Sequence, residues 1–177
     1  MPDGSRLTPA SQLLVDTLEF RRSTGSRRHF VVDTKLDDLE AGEFSVVDGL
    51  LHADFVIEAV TQGVSAAGTV TGEWTGPCRR CLEPIVAPIS ADVREIFERN
   101  PTEGETWPIA DERIDLAPVI REAALLAFPL VPLCSDDCVG PDPERYTTTV
   151  EPEVDLAEEE PPADPRWAAL DGLTFDE

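Results

Sequence analysis

Basic residues are scarce in this chain: 14 Lys and Arg stand against 36 Asp and Glu, a formal charge of −22 over 177 residues. Such a chain cannot hold nucleic acid through its overall field, because affinity for the phosphate backbone comes largely from Lys/Arg neutralisation and counterion release. Any RNA contact needs a local basic patch. The negative surface suits a basic protein partner, and serves solubility equally well. Aromatics make up only 6% of the chain, too few for a base-stacking platform. No run of 18 apolar residues occurs, and Met1-Pro2-Asp3-Gly4-Ser5-Arg6 lacks the apolar stretch of a secretory signal. The expectation is a soluble, cytoplasmic protein with no membrane partner. Histidine is limited to His29 and His52, neither in a nucleophile or metal-ligand pattern, and there is no glycine-rich phosphate loop. Nothing singles out a catalytic carboxylate pair. Neither an enzyme active site nor a small-molecule substrate is expected.

Proline, by contrast, is plentiful: 16 residues argue for extended segments and loops over a helical bundle. From about 43 to 99 the pattern is β. Asp48-Gly49 carries a turn signal after Phe44 to Val47, Leu51 to Val60 is a long strand candidate, and Val64 to Phe97 reads as a long hairpin connected through Gly76 to Cys81. Leu13 to Phe20 is either a strand or a helical turn. Residues 100–112 form a loop containing Trp107. Asp115 is expected to cap a helix whose apolar stripe runs through Leu116, Val119, Ile120, Ala123, Ala124 and Ala127 before Pro129 stops it. The predicted fold is α+β: mainly an antiparallel sheet, with curling into a partial barrel left open, and one covering helix. The domain spans 13–140. Residues 141–177 carry 12 acidic and two basic side chains and read as an acidic, largely disordered tail with a short helical segment near 165–170.

Two features carry chemistry. Four cysteines come in two pairs, Cys78 with Cys81 and Cys134 with Cys138, separated by 52 residues. Two short cysteine loops that meet in space can place four thiolates tetrahedrally around Zn²⁺. Ordinary reduced thiols and a redox pair are the alternatives. A redox pair wants its first cysteine at a helix N-terminus, where the dipole lowers the thiol pKa, whereas this one lies between strands. The second feature is the only basic cluster, Arg21, Arg22, Arg27 and Arg28 in a Ser/Thr/Gly loop. It is either a solvated loop or a contact for RNA phosphates.

The strings Cys78-Arg79-Arg80-Cys81-Leu82-Glu83-Pro84 and Phe128-Pro129-Leu130-Val131-Pro132-Leu133-Cys134, with Asp115-Leu116 opening the helix between them, resemble the DUF177 (YceD) family. Val15-Asp16-Thr17 and Asp164-Pro165-Arg166-Trp167-Ala168-Ala169-Leu170 extend the likeness over roughly 13 to 171. The resemblance implies a non-enzymatic role in producing or stabilising 23S rRNA during assembly of the large ribosomal subunit. It implies as partners the subunit precursor, a basic ribosomal protein or the 23S rRNA itself. Many members continue with a further pair of cysteines where this chain reads Gly140-Pro141-Asp142-Pro143-Glu144. A metal site here must therefore combine Cys78 and Cys81 with Cys134 and Cys138.

Overall fold

The computed structural model describes residues 13–18, 24–142 and 144–145. It divides into two units, Met1–Pro143 and Glu144–Glu177, and the elements below belong to the first. They are β1 (Leu14–Asp16), β2 (Arg27–Lys35), β3 (Glu40–Ala41), β4 (Phe44–Val60), β5 (Gly63–Pro77), β6 (Pro84–Glu98), β7 (Trp107–Pro108), β8 (Arg113–Asp115) and α1 (Ala117–Leu126). The expected helical segment near 165–170 falls outside the described residues.

The principal sheet has the order β2-β4-β5-β6-β7, with β3 on β4, while β1 and β8 pair separately. All pairings are antiparallel except the two-residue β6–β7 contact. Alternation along the long strands sends Phe55 and Ile57 of β4, Val64 and Val70 of β5, and Val93 and Phe97 of β6 to one buried face. The helix lays Val119, Ile120 and Ala124 onto that face, packing against β5 and β6. Each buried Val, Ile or Phe side chain contributes about 1.5–3 kcal/mol by leaving water, and the Ala124 methyl less. The opposite face of the sheet is not covered by any described element. The sheet is mainly antiparallel with a single helix, as the residues indicated. It does not close into a barrel, because β2 and β7 end the order unpaired to each other.

Several local expectations are corrected. Asp48-Gly49 does not reverse the chain; it is a bulge inside β4, with φ of +54° and +68°. The left-handed pair that makes a hairpin turn here inserts extra residues instead. Partners pass from Val46↔Trp74 to Leu51↔Gly72, so five steps along β4 match two along β5. The odd excess flips the facing of the strand, and Phe44 and Val46 before the bulge point to the same core as Leu51 and Ala53 after it. The bulge is held by Leu36, whose N–H donates to the Gly49 carbonyl at 3.0 Å. A Cβ on Gly49 would lie 2.4 Å from the Leu36 oxygen. Gly49→Ala is accordingly expected to destabilise the fold by about 1–3 kcal/mol. Gly42→Ala, at a similar φ of +64° but facing open space, should cost less. Denaturant midpoints of the two variants check the difference.

Leu13 to Phe20 resolves as strand over 14–16, because β1 pairs with β8 nearly a hundred residues later. Leu13, Val15, Ile114 and Leu116 are buried around that pair, and the Thr17 hydroxyl donates to the Glu112 carbonyl at 2.8 Å. Within the predicted loop 100–112, Trp107 lies on β7. The helix cap is Leu116, one residue beyond Asp115. Asp115 still serves the first turn, its carboxylate accepting the Ala117 N–H at 2.9 Å. Among the described residues, no helix is long and apolar enough to cross a membrane.

Candidate metal centre

The turn between β5 and β6 is a tight knuckle. The Cys78 N–H donates to the Glu83 carbonyl at 2.8 Å and the Leu82 N–H returns to the Cys78 carbonyl at 3.0 Å. Leu82 closes the turn at a φ of +64°. The segment after α1 folds back over this knuckle. The Arg79 N–H donates to the Pro132 carbonyl at 2.9 Å, and the Arg80 guanidinium donates to the carbonyls of Asp136 at 3.2 Å and Cys138 at 3.0 Å. Two loops separated by 52 residues in sequence are thus pinned by one backbone bond and the Arg80 side chain.

The result brings all four predicted cysteines together, their sulfurs within 4.8 Å of one another. Cys78 Sγ lies 3.8 Å from Cys138 Sγ, and Cys81 Sγ lies 3.6 Å from Cys134 Sγ. Metal–sulfur bonds of about 2.3 Å in a tetrahedron require sulfur–sulfur edges of about 3.8 Å. The donor set therefore fits a tetrahedral thiolate-bound ion.

The four sulfurs are not equivalent. Cys78 is fully buried, and backbone N–H groups of Cys81, Arg80 and Cys134 surround its sulfur, those of Arg80 and Cys134 at 3.4 Å. These donors outweigh burial and lower its pKa to about 6. The Cys81 thiol receives the Glu83 N–H, which pulls it down. Desolvation and the Cys78, Cys134 and Cys138 sulfurs nevertheless push it up to about 12. Cys134 is also raised, chiefly by its hydrogen bond with Cys138. A cation among the sulfurs removes that mutual opposition by stabilising every thiolate at once. Arg79 and Arg80 add positive charge beside a centre that would carry a net 2−.

Packing ties the knuckle to the sheet. Arg79 sits 5.3 Å over the Phe44 ring. That ring meets Trp74 edge-on at 5.7 Å and Phe128 at 6.1 Å. Gly76 passes so close to it that a Cβ would lie 2.1 Å from the ring. This aromatic anchor escaped the sequence reading, because no local pattern links Phe44 to Cys78. Around the centre, Leu82, Leu130, Val131 and Val139 are exposed.

The basic cluster does not join the cysteines. Arg21 and Arg22 lie outside the described residues. Arg27 and Arg28 are on β2 rather than in a loop, and strand register places them at the end of the sheet opposite Cys78. The Arg27 guanidinium pairs with Glu58 at 3.1 Å. The two histidines make cross-strand pairs on the same strands, His29 with Asp54 at 2.5 Å and His52 with Asp33 at 2.8 Å.

A family model described as "Large ribosomal RNA subunit accumulation protein YceD" matches residues 66–174, which contain all four cysteines. The chain belongs to the YceD family. This YceD-family chain is 31% identical over 171 residues to an uncharacterized protein of Mycobacterium tuberculosis, Rv2926c, covering 91% of this chain and 81% of that one. It is equally similar to its Mycobacterium bovis counterpart. It is 31% identical over 116 residues to the uncharacterized protein YlbN of Bacillus subtilis, covering 62% of this chain and 66% of YlbN. No solved structure matches.

Proposed function

We propose that this YceD-family chain is a non-enzymatic, cytoplasmic ribosome-biogenesis factor that supports 23S rRNA accumulation and large-subunit assembly. The observation that carries the reading is the match, over residues 66–174, to a family described by large ribosomal RNA subunit accumulation. The charge of −22 favours a basic ribosomal protein as the direct partner, since long-range attraction speeds encounter. Arg21, Arg22, Arg27 and Arg28 remain the RNA-facing candidates, with Arg28 more available than Arg27, whose charge Glu58 balances. The four cysteines hold a structural Zn²⁺, which supplies cross-linking of the two loops and no reaction.

A redox role for the same thiols has one observation in its favour, the lowered pKa of Cys78. Exchange chemistry also needs access, and Cys78 is the cysteine that solvent does not reach. The structural role is therefore preferred.

In cells depleted of the protein, 23S rRNA is expected to fall relative to 16S rRNA, with a matching loss of large subunits in sucrose gradients. Unchanged rRNA levels and profiles would overturn the reading. Thiol-dependent turnover of insulin by the purified chain, abolished by Cys78→Ser, would favour the redox role.

A further inference from the structure

β6 has one edge that pairs only briefly, with β7. The Glu98 carbonyl accepts the Ile109 N–H at 2.8 Å, on the side away from β5. Backbone groups alternate in direction along a strand, so those of Ile96, Arg94, Asp92 and Ser90 also point away from β5. The parallel contact with β7 reaches only Phe97 and Glu98. No described strand continues the ladder past them. Pro84 and Pro88 fall in the same outward phase, where a missing N–H costs the sheet nothing and blocks strand addition. The edge is thus closed by prolines at one end and, among the described residues, left open over 90–96.

Beside this open stretch runs a groove between β6 and α1, about 320 Å³, floored by Val93, Val119, Ala123 and Leu126. It continues past Trp107 into a second hollow of about 240 Å³. Glu95, Glu105 and Glu122 line the two, Asp92 borders the first along the strand edge with its side chain on the opposite face of β6 as for Arg94, and no Lys or Arg lines either. Glu95 is held in place by the Trp107 indole N–H at 2.9 Å. Unpaired backbone, an apolar floor and carboxylate walls are the three requirements of strand addition by a cationic chain.

We propose that the β6 edge and its groove bind an extended basic polypeptide segment, which adds a strand over 90–96 and places its Lys or Arg side chains among Glu95, Glu105 and Glu122. This rests on the reading above only in taking the partner to be a basic protein. A second copy of this chain is disfavoured, because each copy carries a formal charge of −22 and the two repel.

The test uses the full chain and a fluorescein-labelled twelve-residue peptide of alternating Val and Lys. Saturable binding is expected, with slowed amide exchange at Asp92 and Arg94 and several-fold weakening between 50 and 200 mM salt, since the attraction is screened over about 10 Å at 0.1 M. The Val/Glu counterpart should not bind. Glu122→Lys and Ser90→Pro, both at exposed positions, should each weaken binding about tenfold at unchanged melting temperature. Absence of binding, binding untouched by both variants, or self-association broken by Ser90→Pro would overturn the proposal. If both variants stay on large-subunit precursors as well as the wild type, the edge proposal fails while the biogenesis role stands. If the peptide binds as described but depletion leaves 23S rRNA unchanged, the reverse holds.

Discussion

Replacing Cys78 with serine is expected to remove the bound metal and lower the thermal midpoint by about 10 °C or more, because a structural thiolate centre contributes its binding free energy to folding. Cys78 is the most consequential of the four. It directly follows β5, it is fully buried, and it accepts N–H groups from both loops, Arg80 on its own and Cys134 on the other. A serine hydroxyl is a poor ligand for a soft-to-borderline ion, and it leaves those N–H groups facing a shorter, less polarisable atom. Elemental analysis of protein purified without chelator should find one zinc per chain in the wild type and almost none in the variant, with calorimetry reading the midpoint. Metal-free wild-type protein, or a variant that melts unchanged, would remove the centre from the account.

Phe44→Ala is expected to cost about 3 kcal/mol, near the lower end for a core phenylalanine because the ring is not fully enclosed. The ring touches Trp74, Phe128 and Arg79, so its loss opens a cavity where the sheet meets the knuckle. The expected thermal shift is about 10 °C. The more specific consequence concerns metal. Without the ring, Arg79 loses its cation–π seat, and Gly76 loses the surface it packs against. Release of zinc to a colorimetric chelator should become faster than in the wild type. A destabilised variant that gives up its metal at the wild-type rate would mean that the aromatic anchor and the cysteine loops are mechanically separate.

Much of this was legible before any coordinates. The apolar stripe of α1 and the long strands around 51–60 and 84–97 follow from periodicity, because their partners are near in sequence or uniformly apolar. The four cysteines stand out by type. The bulge at Asp48-Gly49 differs from the expected turn because the same left-handed residues serve a turn or an insertion, and only pairing with β5 selects between them. β1 with β8 was hidden for a different reason. Three-residue strands have too little period to detect, and their partner lies about a hundred residues away. The basic cluster looked like a loop because Arg-Arg-His precedes the apolar part of β2, yet Glu58 and Asp54 across the strand make charged residues acceptable there.

Composition and spacing alone were enough to set the acidic character and the mainly antiparallel sheet with one helix and to single out the four cysteines, since each depends on residue type and short-range pattern, while the family came from the resemblance of its motif strings. The meeting of the two cysteine loops, the Phe44 anchor beneath them and the open β6 edge beside a carboxylate-lined groove required the folded chain. Each is a contact between segments far apart in sequence, and the closure of such loops leaves no local trace in either segment.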